Sequence, residues 1–172
     1  MPRTNNATKT QIARRNCILF CVIVVIWVLL DQLTKVFFDS QPTNIPSIDI
    51  GGIVELTLVH NFGAAWGSFS GMTIGLIVVT LLLCVGIIVY AFFVSSEASV
   101  IEMTGLALVF AGGIGNLIDR IARGYVVDFI SPVFIDFPTF NIADIGITCG
   151  IILVIIALVI KFISTGTKAS SN

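Results

Sequence analysis

The chain has 172 residues, of which 56% are hydrophobic and only 11% charged, with a formal net charge of −1 and a mean hydropathy of +1.05. That balance excludes an ordinary water-soluble domain of this length and points to a membrane protein. The near-zero net charge leaves no footprint for nucleic acid.

Residues 1–15 are polar and carry Arg3, Lys9, Arg14 and Arg15, which predicts a disordered tail. Crossing roughly 30 Å of hydrocarbon takes about 20 mostly apolar residues. Segments 17–38, 72–94, 100–121 and 145–163 meet that requirement. The basic start followed by an apolar run has the outline of a secretory signal. No small-x-small cleavage pattern follows, however, and the run continues into "DQLTK", so it reads as a retained span. Basic residues precede the first span, and Lys161 and Lys168 close the last. The positive-inside rule then predicts both termini in the cytoplasm, with loops 39–71 and 122–144 outside. The domain reading is a tail at 1–15, a membrane domain at 16–164 and a second tail at 165–172.

The first outer loop is more than a linker. Val54, Leu56, Leu58 and His60 alternate with Ile53, Glu55, Thr57 and Val59, the period of a strand. The second loop holds "YVVDFI" and "VFIDFPTF", rich in β-branched and aromatic residues. Pairing of the two predicts an all-α polytopic membrane protein: four transmembrane helices with a small extracytoplasmic β platform. Trp66 and Phe69 read as interfacial anchors. Gly112, Gly113 and Gly115 read as small residues that let helices approach. Cysteines 17, 21, 84 and 149 fall within predicted spans, with no histidine at ligand spacing. They read as small core residues, with neither a disulfide nor a metal site. His60, the one histidine, is assigned a structural role.

The polar residues of the spans gather at one depth. Asp31 and Lys35 share a helix face, acid N-terminal to base. Asn116, Asp119 and Arg120 share another face near the outer end of the third span, Asp144 opens the fourth, and Asp128 follows the third. Each unpaired charge at mid-bilayer costs about 2.5–3.5 kcal/mol on insertion scales. The six charged groups would together cost on the order of 15–20 kcal/mol if isolated there, more than a typical folding free energy. They must pair, sit at the interface or line a wet cavity. Asp31 can pair with Lys35, and Asp119 with Arg120 or with neighbours across helices. Asp128 and Asp144 are left without an obvious cation. Asp136, in mid-loop beside Phe137 and Pro138, reads as a solvated charge.

Two carboxylates held close cannot both ionise easily, so one keeps a proton near neutral pH. The charged member can take a proton from water while the other donates to a peptide carbonyl. Such a pair hydrolyses an amide without serine, cysteine or metal, and no cofactor is called for. The alternative is a proton-coupled small membrane transporter, which also uses membrane carboxylates. It would favour mid-bilayer sites in repeated halves, and no repeat is present. Presenilin- and prepilin-peptidase-type proteases carry a Gly-x-Gly-Asp signature, where "GIGN" has Asn116. A non-catalytic scaffold would leave the aspartates replaceable.

"DQLTK" (31–35), "NFGAAWG" (61–67), "GGIGNLIDR" (112–120), "VVDF" (126–129) and "FNIAD" (140–144) stand in the order found in lipoprotein signal peptidases. The chain resembles that family (signal peptidase II, prolipoprotein signal peptidase) from about residue 17 to residue 163. The resemblance implies that Asp128 and Asp144 are the catalytic dyad. It implies supporting or substrate-binding roles for Asp31, Lys35, Asn61, Gly63, Asn116, Asp119, Arg120, Asn141 and Ala143. It further implies an aspartic endopeptidase of the bacterial cytoplasmic membrane, acting at the outer face. Its substrate would be a prolipoprotein cut just before a diacylglyceryl-modified cysteine. Membrane lipid would be a second partner, globomycin the inhibitor, and the working form a monomer.

Overall fold

The computed structural model describes residues 3–42, 47–63, 68–69 and 71–170. Trp66, expected as an interfacial anchor, lies outside the described residues. Four helices carry the fold: α1 (Arg3–Asp39), α2 (Thr73–Val94), α3 (Val100–Ala122) and α4 (Ile142–Ser170). All four are long and apolar enough to cross a membrane. Three short strands, β1 (Ile48–Ile50), β2 (Val54–Asn61) and β3 (Val126–Pro132), form one antiparallel sheet in the order β1-β2-β3. The loops before α2 and before α4 emerge at the same end of the bundle, so the sheet lies there. The expected class, a four-span helical membrane protein with a small β platform, is what is observed.

The expected disordered start is helical instead, from Arg3 onward. One physical reason is at hand: Lys9 pairs with Glu97 at 2.8 Å. Two turns beyond it towards the bundle, the buried Asn16 amide donates to the carbonyls of Ser95 and Ala98. α1 is thereby fastened to the α2–α3 turn. That turn ends in an N-cap, with the Ser99 hydroxyl accepting from Glu102 N–H.

α3 is the central helix. In its most apolar window 61% of residues are buried, against 6–17% in the other spans. α3 packs against each of the other helices, most extensively against α4. Glycine permits the close approach: a Cβ at Gly105 would lie 2.7 Å from the Gly150 carbonyl oxygen, and one at Gly150 2.6 Å from that of Gly105. Nearer the sheet, a Cβ at Gly112 would overlap the Ala143 carbonyl and one at Gly115 the Asp31 carboxylate. All three glycines read as packing residues thus do that work, Gly113 towards α2, where a Cβ would lie 3.0 Å from Cys84 Sγ.

The sheet departs from the simple alternation expected for β2. Leu56 opposes Ile130 and Val59 opposes Asp128, so β2 advances three residues while β3 advances two. This bulge changes which residues share a face. Beyond it Val59 and Asn61 lie on the face of Asp128, and His60 points the other way. His60 accordingly meets Asp39 at 2.9 Å and stacks near Tyr125, in keeping with a structural role. "VFIDFPTF" forms no full strand. After Pro132 the chain runs irregularly and returns at Phe140, which exchanges backbone hydrogen bonds with Ile130 at 2.9 Å.

Candidate active site

The return of Phe140 to β3 delivers Asn141 beside Asp128, and α4 begins at the next residue. Asn141 is its N-cap. Its side-chain oxygen accepts from Asp144 N–H at 3.1 Å, and its own N–H donates to Asp144 Oδ2 at 3.1 Å. This is a reciprocal capping box with aspartate in the acidic position. It leaves the Asn141 amide nitrogen free to donate to Asp128 Oδ1 at 2.6 Å. One fully buried asparagine thus touches both carboxylates.

Each carboxylate has a second amide donor. Asn61, the diagonal cross-strand neighbour of Asp128 on the face set by the bulge, donates to Asp128 Oδ2 at 2.9 Å. The Asn61 oxygen accepts from Gly63 N–H, which fixes the direction of its amide. Asn116 donates to Asp144 Oδ1 at 2.8 Å. The Asn116 oxygen accepts from Lys35 at 2.8 Å and from Asn141 at 3.1 Å. Asp128 is 2% exposed. Burial pushes its carboxyl up to about 6, the Asn61 amide opposes that rise, and the Asp144 charge adds to it.

Both aspartates line a cavity of about 590 Å³ whose walls are mostly apolar, bounded by α2, α3, α4 and the 137–140 segment. Asn61, Asn116 and Arg120 line it too. Arg120 reaches the Gly63 carbonyl at 3.0 Å, so it spans from α3 to the end of β2. Asp136 is exposed in the irregular loop and does not line the cavity.

A buried ionic layer lies under the site. Lys35 and Asp31 are both fully buried and pair at 2.9 Å, as expected. Lys35 also lies 3.3 Å from Asp119. Of the two partners expected for Asp119, the cross-helix neighbour is found in Lys35 of α1 and Arg120 is not used; Asp119 also bonds to Arg123 and accepts from Val127 N–H at 3.0 Å. Adjacent helical residues point about 100° apart, so Asp119 faces inward to the sheet while Arg120 faces the cavity. Asp31 accepts from Ala143 N–H at 2.9 Å. Asp31, Asp119 and Ala143 therefore support the site without lining it. Three contributors went unnoticed in the sequence. Arg123 pairs with Asp119 and with Asp39, Gln32 donates to Asp31 and Asp119, and Trp27 donates to the Ile142 carbonyl. Gln32 lies inside "DQLTK" and was visible as a polar residue in a span.

The family model described as signal peptidase (SPase) II matches residues 23–160. The chain belongs to the signal peptidase II family. It is 38% identical over 150 residues to a lipoprotein signal peptidase of Latilactobacillus sakei, covering 84% of this chain and 95% of that one. It is 39% identical over 144 residues to that of Clostridium acetobutylicum, covering 81% and 93% respectively. A solved structure described as a bacterial membrane enzyme determined by the in meso method at 2.3 Å resolution superposes with a TM-score of 0.73. That structure is 38% identical, and the match covers 81% of this chain and 87% of that one. The family is one of membrane aspartic endopeptidases that remove prolipoprotein signal peptides, and the motif blocks fall within the matched region.

Proposed function

We propose that Asp128 and Asp144 form the catalytic pair with which this signal peptidase II family member hydrolyses its substrate. Asp128 carries the proton and Asp144 is the base. The observation that carries this is the Asn141 bridge, which holds two carboxylates at the wall of one largely apolar cavity. Burial raises Asp128 towards neutrality and suits it to donate a proton. Asp144 stands in the first turn of α4, where a helix N-terminus favours negative charge.

The sequence of steps balances. A water between the two carboxylates gives a proton to Asp144, and its oxygen attacks the scissile carbonyl carbon. Asp128 protonates the carbonyl oxygen as it becomes tetrahedral. Collapse breaks the C–N bond: Asp144 passes its proton to the departing amine, and Asp128 recovers one from a hydroxyl of the intermediate. The products are the carboxyl end of the signal peptide and a new amino terminus. Arg120 and Asn61 orient the substrate backbone beside the pair.

The substrate is a prolipoprotein whose cysteine bears a diacylglyceryl group, cut directly before that residue. Apolar walls beside the pair accommodate an acylated substrate. Both termini face the cytoplasm, so the sheet and the site face outward, the depth of a lipid anchored in the outer leaflet. The protein acts as a monomer, and globomycin occupies the same cavity. Purified protein with a diacylglyceryl-prolipoprotein peptide tests the reading: one cut directly before the lipidated cysteine, blocked by globomycin, is expected. A cut elsewhere, or none, would refute it.

A further inference from the structure

Trp27 stands one turn before Asp31 on α1, and its place beside the site is not explained by apolar packing alone. Its indole N–H donates to the carbonyl of Ile142 at 3.0 Å. Asp31 Oδ1 accepts from the N–H of Ala143 at 2.9 Å. That carbonyl and that N–H belong to a single peptide unit, the one joining residues 142 and 143. In a helix the N–H points to the N-terminus and the carbonyl to the C-terminus. Two α1 residues four apart lie about 6 Å apart along the axis, so α1 and the antiparallel start of α4 match in register. Asp31 meets the peptide from the sheet end and Trp27 from the opposite side.

Gly146 makes the approach possible. A Cβ there would overlap the indole nitrogen and lie 2.9 Å from Cδ1 and 3.0 Å from Cε2 of Trp27. The indole nitrogen is a donor only, so the direction of its bond is settled. The Ile142 carbonyl also has its normal helical partner at residue 146. Satisfying a lone buried acceptor therefore does not account for the tryptophan.

We infer that Trp27 is a positioning residue: with Asp31 it grips the 142–143 peptide and fixes the rotation of the first turn of α4, which sets the direction of Asp144. The inference rests on the reading of Asp144 as catalytic. A 1 Å misplacement of a reacting group costs up to about a hundredfold in rate. Loss of one of two grips is expected to cost about tenfold in kcat. Substrate contacts elsewhere in the cavity are untouched, so KM is expected to stay within about twofold.

Trp27→Phe removes the donor and keeps an aromatic ring. Gly146→Ala keeps the indole and displaces it. Both are assayed as full-length protein in detergent micelles on a diacylglyceryl-prolipoprotein peptide, with Asp144→Asn alongside and thermal unfolding of each. The expected result is a kcat about tenfold lower in both, KM nearly unchanged and both variants folded. A wild-type kcat in folded Trp27→Phe overturns the inference, as does a loss confined to KM. If Trp27→Phe does not fold, Gly146→Ala carries the test by the same criterion. Failure of both to fold makes Trp27 a stability residue and also overturns it. Activity in Asp144→Asn would instead remove the reading of the dyad.

Discussion

Replacing Lys35 with methionine tests the buried ionic layer. The ammonium is fully buried, 2.9 Å from Asp31, 3.3 Å from Asp119 and 2.8 Å from the Asn116 oxygen. Arg123 bonds to Asp119 and also to the part-exposed Asp39, so its charge is shared between two carboxylates. Lys35→Met leaves two carboxylates and one guanidinium in the same apolar surroundings. Removing one partner of a buried ion pair costs about 3–5 kcal/mol, because the other charge is stranded. Asp31 keeps the Gln32 amide and Ala143 N–H, so the lower half of that range is expected. For a chain of this length about 3 kcal/mol lowers Tm by roughly 6–12 °C. Thermal unfolding in detergent micelles, followed by tryptophan fluorescence, measures it. The double variant Lys35→Met/Asp31→Asn removes the stranded charge and should recover about 1–3 kcal/mol of the loss. A single variant within about 1 kcal/mol of wild type, or a double variant no better than the single, would refute the account of the layer.

Three further outcomes follow from the geometry. Asp128 is pushed up to about 6, and the proposed mechanism needs it protonated, so kcat/KM should fall as pH rises through that value. The Asn61 amide favours the ionised form, so Asn61→Ala should move this limb to higher pH by about one unit; a limb that stays put or moves down refutes the assignment. Asp136→Asn should keep activity within about twofold of wild type in the peptide assay, as a solvated surface charge does, and a full loss would show that the wrong pair was chosen. Gly112→Val forces a side chain into the Ala143 carbonyl and should cost at least about 3 kcal/mol by overpacking, read as lost folded yield; a folded, active variant would show that α3 and α4 have room to part.

The four spans were legible because bilayer thickness imposes a length that composition reveals. Their ends were less so: α1 begins at Arg3 and α4 runs to Ser170, since polar helical turns outside the hydrocarbon carry no hydropathy signal. Asp31 and Lys35 declared themselves by helical spacing. Asp119 did so only in part: Arg123 stands four residues on at helical spacing, whereas its partners Lys35 and Val127 come from other elements and are set by tertiary packing. The β2 bulge was invisible for a similar reason. Strict alternation assigns His60 to the face that Asn61 occupies, and one extra residue reverses it. The Asn141 cap was half visible, as an asparagine three residues before an acid at a helix start. That its amide also reaches Asp128 depends on the chain return at Phe140, which leaves no local pattern. Trp27 reads as one more apolar residue of a span, because nothing in one sequence distinguishes a ring that packs from a ring that donates.

The central claim is tested most directly by measuring cleavage of a diacylglyceryl-prolipoprotein peptide by Asp128→Asn and Asp144→Asn beside wild type, with unfolding confirming that both are folded. Each change removes one proton-transfer group, and each should lower kcat by about 10²–10⁴-fold. Turnover within tenfold of wild type in either folded variant would contradict the assignment of that aspartate.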